Sequence, residues 1–200
     1  MNFENAVFKN RRPILISLSK DRVRVDSFNL YHKENFVVGE LTFGFDESID
    51  GSIKLEKLSL LDASELMGVK FPVKGEMSGE IKLGSSLKRP VLRADITAKG
   101  LEYMKFKSDR LTLSLLYSGD KLGLDLKIID KNEEILSAVA DATIKFDPEN
   151  MDKSIGRAQY RATVKSKGVD ISPISVFNEE IQELEGKLSA DLVAEGTGED

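Results

Sequence analysis

The 200-residue chain has no cysteine, no tryptophan, a single histidine and five prolines. Without cysteine there is no disulfide, no thiolate nucleophile and no thiolate metal site. With one histidine, a Ser-His-Asp triad could be built only on His32, which falls in the polar stretch "YHKEN" (31–35) and reads as part of a turn. An excess of positive charge is missing as well. Lys and Arg number 29 against 34 Asp and Glu, for a net charge of −5, so the chain lacks the basic footprint of a nucleic-acid binder. Long apolar runs are also missing: no stretch approaches the roughly 18 residues of a membrane-spanning helix. Near the start, Arg11-Arg12 precedes an apolar run, but Pro13 to Leu18 is too short for an export signal and Lys20-Asp21 follows at once. Any export signal or membrane attachment is therefore expected outside these residues.

What is present is alternation. Val37, Gly39, Leu41, Phe43 and Phe45 share one phase, and Glu40 and Thr42 the other. Leu111, Leu113 and Leu115 repeat the pattern, followed by Leu122, Leu124, Leu126 and Ile128. It returns in Leu136 to Phe146, in Tyr160, Ala162 and Val164, and in Leu188, Ala190, Leu192 and Ala194. A period of two held over this length predicts strands with one dry face and one wet face. Short polar punctuators separate them, among them "SKDR" (19–22), "DESIDG" (46–51), "SGDK" (118–121), "DKNEE" (130–134) and "DPENMDKS" (147–154). Turns at hairpin spacing make sequence neighbours antiparallel neighbours in space, giving roughly ten strands in a meander.

Two stretches leave the period of two and read as short helices, "LSLLDASELMG" (58–68) and "DISPISVFNEEIQEL" (170–184). In the second, Ser172 and Pro173 suit the N-cap and first turn, and Ile174, Phe177, Ile181 and Leu184 form one stripe. A shift of 111 positions lays Leu60 on Ile171 and Gly75 on Gly186, each case giving helix, gap and glycine-flanked strand. The chain is thus read as one segment, 1–200, with an approximate internal repeat over 58–168 and 169–200, the second unit truncated.

A sheet with one apolar face has to cover it, and two short helices cannot cover ten strands. A sandwich, a closed barrel and an open trough all satisfy the alternation. A membrane barrel would carry aromatic girdles, whereas aromatics make up 7% here and the polar phase is dense with charge. Between sandwich and trough the periodicity does not choose; small residues on the apolar phase, such as Ala138, Ala140, Ala142, Gly39 and Gly79, leave room for a guest.

No enzyme signature emerges. "DESIDG" matches the start of a calcium loop, but position 12 is Lys57 and strands flank it, so a hairpin turn explains it better. In "GEMSG" Ser78 is one place off the nucleophile-elbow pattern. Carboxylates lie on the wet phase of nearly every strand, as solvated surface does. The expected fold is mainly β, a long antiparallel meander curled into an open groove with two short helices. Neither a metal nor a cofactor is expected.

The phrase "GEMSGEIKLG" (75–84), followed by Pro90 and "VLRADITAKGLEY", resembles the repeat texture of the TamB/AsmA-like family. So does the closing "DISPISVFNEEIQELEGKLSADLVAEGT", a short helix leading into such a strand. The resemblance implies a periplasmic segment of a longer envelope protein, anchored in the inner membrane outside this chain. It further implies a β-groove that conducts phospholipid toward the outer membrane and serves outer-membrane biogenesis. Its partners would be phospholipid acyl chains and an outer-membrane barrel protein. Strand phase then supplies the lining: Leu41, Phe43, Ile81, Leu83, Leu113, Leu124, Leu126, Ile144 and Leu192. The alternative is a dry-cored β scaffold that docks outer-membrane protein or partner strands on its sheet edges.

Overall fold

The computed structural model describes residues 9–10, 12–32, 35–66, 73–103, 106–145, 147, 150–171 and 186–198. Twelve strands form one sheet: β1 (Lys9–Asn10), β2 (Leu15–Leu18), β3 (Arg22–His32), β4 (Asn35–Gly44), β5 (Ile49–Ser59), β6 (Lys74–Ser85), β7 (Pro90–Tyr103), β8 (Phe106–Ser118), β9 (Lys121–Asp130), β10 (Glu133–Thr143), β11 (Gln159–Asp170) and β12 (Lys187–Thr197). From β3 to β12 each strand pairs antiparallel with the next, while β1 and β2 both pair with β3. The edges do not meet, so the sheet is an open meander curled into a groove. No second sheet lies over it among the described residues.

The turns explain the register. At 118–121 Gly119 and Asp120 have φ of 58° and 64°, and at 130–133 Lys131 and Asn132 have 50° and 65°. Positive φ at both central residues is the two-residue hairpin turn whose twist matches the strands it joins. Ser118 therefore pairs with Lys121, and Asp130 with Glu133. At 44–48 the carboxylate of Asp46 accepts from the backbone N–H of Ser48 at 3.0 Å and from its hydroxyl, closing a tight turn before β5.

Helix α1 (Leu60–Leu66) sits where a helix was expected. Ser59 Oγ accepts from the N–H of Asp62 at 3.4 Å, in the manner of an N-cap. Asn35 Nδ2 donates to Asp62 Oδ2 at 2.8 Å and fastens the helix to β4. Two buried clusters form where it meets the sheet, Val73, Ala98, Leu101 and Tyr103, and Leu55 and Leu58 with Ala63 of the helix; Met77 packs against both.

The helix expected over 170–184, with its N-cap at Ser172, falls on residues 172–185, which lie outside the described residues; Asp170, ahead of that cap, is the last residue of β11. Two expectations need correction. The stretch "DPENMDKS", read as a plain turn, contains the start of helix α2 (Met151–Gly156), whose first turn closes with Ser154 N–H on the Asn150 carbonyl at 3.0 Å. A single turn and a half is too short to show a period in the sequence. His32, read as a turn residue, ends β3 opposite Asn35.

Candidate functional site

Because hairpin register keeps every inward residue beside inward residues, the apolar phases of successive strands join into rows that cross the sheet. One row runs Val25, Leu41, Gly51, Leu83, Leu92, Tyr117, Leu122, Ala142, Tyr160, Gly196. The next is Phe28, Gly39, Ile53, Ile81, Ala94, Leu115, Leu124, Ala140, Ala162, Ala194. A third is Leu30, Val37, Leu55, Gly79, Ile96, Leu113, Leu126, Ala138, Val164, Leu192. No charged or amide side chain interrupts any of the three. At strand spacings of about 4.8 Å, ten strands carry each row over about 43 Å.

This floor is lined but not filled. No described side chain is fully buried, and apart from Ala94 in the second row the buried apolar residues gather under and around α1 or at strand ends. Away from α1, Leu113, Leu115, Leu124, Leu126 and Ile81 are all half-buried. Shielding thins toward the last strand, where Leu192 is 54% exposed. A sandwich core would bury such leucines almost completely.

Eight of the nine residues expected to line a groove lie in strands on this face. Leu41 and Leu83 share the first row, Ile81 and Leu124 the second, and Leu113, Leu126 and Leu192 the third; Leu113 and Leu126 are direct partners. Phe43 lies one row further toward the turns, paired with Val23 and Ile49, and is at the margin of exposure, 36%. Ile144 follows β10 as irregular chain, tied at the rim: its N–H donates to the Asp120 carbonyl at 2.8 Å and its carbonyl accepts from Tyr117 Oη at 3.0 Å. Sequence reasoning left out Leu92, Ile96, Leu115 and Tyr117, which stand in the same rows. Their phase was legible, because Leu113, Leu115 and Tyr117 alternate without a break.

The opposite face is polar and laced with ion pairs. Arg24 meets Asp26 at 2.7 Å, Lys54 meets Glu56 at 2.8 Å, Lys82 meets Glu80 at 2.9 Å and Arg93 meets Asp95 at 2.8 Å. Hydrogen bonds from Arg93 and from the Ser114 hydroxyl hold the Asp95 carboxyl below its ordinary range. Such exposed pairs contribute little stability each, but they keep this face in water. Past β7 the pattern loosens: Gly123 leaves a shallow hollow bordered by Leu116, Val139, Asp125 and Asp141. Carboxylates are spread along the strands, and no catalytic constellation forms among the described residues.

Comparison with protein-family models, with curated proteins and with solved structures returns no match.

Proposed function

We propose that the chain is a non-enzymatic lipid-conducting groove segment whose floor holds phospholipid acyl chains. The observation that carries this reading is the set of uninterrupted apolar rows, ten strands long and left half-exposed. Leaving that much hydrocarbon surface to water is costly at about 25 cal/mol per Å², so a guest that covers it binds favourably. A bilayer core of about 30 Å gives each leaflet's acyl chains about 15 Å of depth, so the rows exceed one chain length. Uniformity matters as much as length. A floor of Leu, Ile, Val and Ala offers nearly the same contact at every step, so a chain moves along it without one deep trap. The charged outer face keeps the loaded groove in water, and the rims leave a headgroup outside.

The similarity of 75–84 and its surroundings to the TamB/AsmA-like texture supports placing such a segment in the periplasm. There it would pass phospholipid between inner and outer membranes in the service of outer-membrane biogenesis, alongside an outer-membrane barrel partner. The test is native mass spectrometry of protein purified from a bacterial lysate, together with photocrosslinking residues at Leu113 and Leu126. Co-purifying phospholipid and lipid adducts at both sites are the expected result. Lipid-free protein and no adducts, under conditions in which a known lipid carrier yields them, would overturn the reading.

A further inference from the structure

The floor runs between two rims, because the strands end in turns on one side or the other. The turns 45–48, 86–89 and 119–120 make one rim, and helix α1 with the turn 131–132 makes the other. The first row, here Leu83, Leu92, Tyr117 and Leu122, borders the turn rim. Toward the helix rim the same phase adds a fourth row, Leu58, Met77, Ala98, Leu111, Ile128 and Leu136. Helix α1 closes the start of that row: Leu58 and Ala98 are each 4% exposed, and Met77 packs against both buried clusters. The three turns of the opposite rim are too short to fold over the floor.

The rims also differ in charge. On the turn rim Lys88 is held by Glu47 at 2.8 Å, whereas Arg89, Lys121 and Lys145 are exposed and engage in no ion pair among the described residues. Asp120, beside Lys121, accepts from the Tyr117 hydroxyl at 3.4 Å. On the helix rim the balance is reversed. Asp130, in the phase of Leu126 and Ile128, pairs directly with Glu133, and Glu134 follows. The Asp109 carboxylate accepts from the backbone N–H of Lys131 at 2.7 Å and adds to that acidic group. Lys107, the next cation along this rim, is taken by Glu102 at 2.6 Å.

We infer that a phospholipid on this floor lies with its phosphate at the turn rim and its acyl chains directed toward the helix rim. The inference rests on the lipid-groove reading and assigns the ligand's orientation within it. A phosphodiester keeps its charge in water, and at the turn rim it meets cations that no protein carboxylate holds. At the helix rim it would lie against Asp130 and Glu133, and like charges repel. Chains about 15 Å deep, entering from the turn rim, end near the third row, short of the part that α1 closes. Every step along the rows preserves this orientation, since the rows run parallel to both rims.

The chain has no tryptophan, so one substitution gives a single indole probe. Leu122→Trp and Ile128→Trp place it in the first and fourth rows of the same strand, about 20 Å apart. Phosphatidylglycerol brominated near the glycerol end of its acyl chains should quench the Leu122→Trp protein more strongly. Lipid brominated near the methyl end should quench the Ile128→Trp protein more strongly. The opposite order, or equal quenching of both proteins by both lipids, would overturn the orientation while leaving lipid in the groove. No quenching in either protein would overturn the groove reading itself, and the inference with it. A second measurement leaves the floor untouched. Lys121→Glu should weaken phosphatidylglycerol binding about threefold, the size of one exposed charge pair, and Glu133→Gln should leave it unchanged. Tighter binding by Glu133→Gln with no effect of Lys121→Glu would place the phosphate at the helix rim and overturn the inference.

Discussion

Leu113 on β8 and Leu126 on β9 stand directly opposite each other on the apolar face, both half-buried. In a closed core, truncating either leucine would leave a cavity and cost about 2–5 kcal/mol. On an uncovered floor the lost contact is mostly with water, and the expected cost of Leu126→Ala is about 1 kcal/mol. Urea unfolding of lipid-free protein measures it. A loss of about 3 kcal/mol or more would mean that the floor is packed in solution and not open.

Leu58 gives the contrast. It is 4% exposed and clusters with Leu55 and with Ala63 of α1, which roofs this part of the floor among the described residues. Leu58→Ala should cost about 2–4 kcal/mol, several times the Leu126→Ala effect on the same face. Equal costs for the two substitutions would remove the distinction between roofed and open floor.

The fold was legible because hairpin turns and a period of two are local signals. "SGDK" and "DKNEE" announce the turns, and each turn fixes the register of the strands it joins. Which residues share the apolar face follows from phase alone, as Leu113, Leu124 and Leu126 show. Whether that face is covered does not follow, since a second sheet would demand the same alternation. Helix α2 stayed hidden because its six residues carry no stripe and Asn150 makes no side-chain cap. The split between β1 and β2 was not read from the sequence, because the pairing of both fragments with β3 depends on contacts far along the chain.

Two glycines of β6 test how closely neighbouring strands constrain it. A Cβ on Gly79 would run into the carbonyl oxygen of Asp95 and the Cα of Ile96 on β7, and backbone does not yield as a side-chain tip does. Gly79→Val should therefore destabilise by about 2 kcal/mol or more. A Cβ on Gly84 meets nothing within 4 Å, and this residue needs no left-handed backbone. Gly84→Ala should be neutral or stabilise by up to about 1 kcal/mol, through lower entropy of the unfolded chain. Thermal melts of both variants decide it; Gly79→Val melting like wild type would contradict the close approach of β6 to β7.

Asp21 supplies a titration test on the turn before β3. Hydrogen bonds from Arg22, first, and from the Ser19 hydroxyl lower its carboxyl to about 2. A depressed carboxyl stabilises the fold above its ordinary range, and this contribution disappears as pH falls toward about 2. The side chain is largely exposed, so salt should weaken the effect. NMR titration should place Asp21 below the ordinary aspartate range, and Arg22→Ala should move it up toward the ordinary value. An unchanged midpoint in that variant would assign the shift to some other contact.

The internal repeat carries a register shift in each unit, around Lys57 of β5 and Gly168 of β11, and this pair of bulges allows a reciprocal exchange. Both residues adopt left-handed backbone, with φ of 50° and 64°, yet one is lysine and the other glycine. A side chain there costs roughly 1 kcal/mol, and glycine avoids that cost. Lys57→Gly should therefore stabilise by some tenths of a kcal/mol, up to about 1, and Gly168→Lys should destabilise by a similar amount. Both bulges are clamped by a serine hydroxyl that accepts from the strained residue's N–H, at 3.0 Å from Ser78 and 2.8 Å from Ser189. Ser78→Ala and Ser189→Ala should each lose about 1 kcal/mol, the usual net value of one such bond. If the exchanges moved stability in the same direction, or if only one serine mattered, the two bulges would not be equivalent devices. The correspondence between β6 and β12 would then be one of outline only.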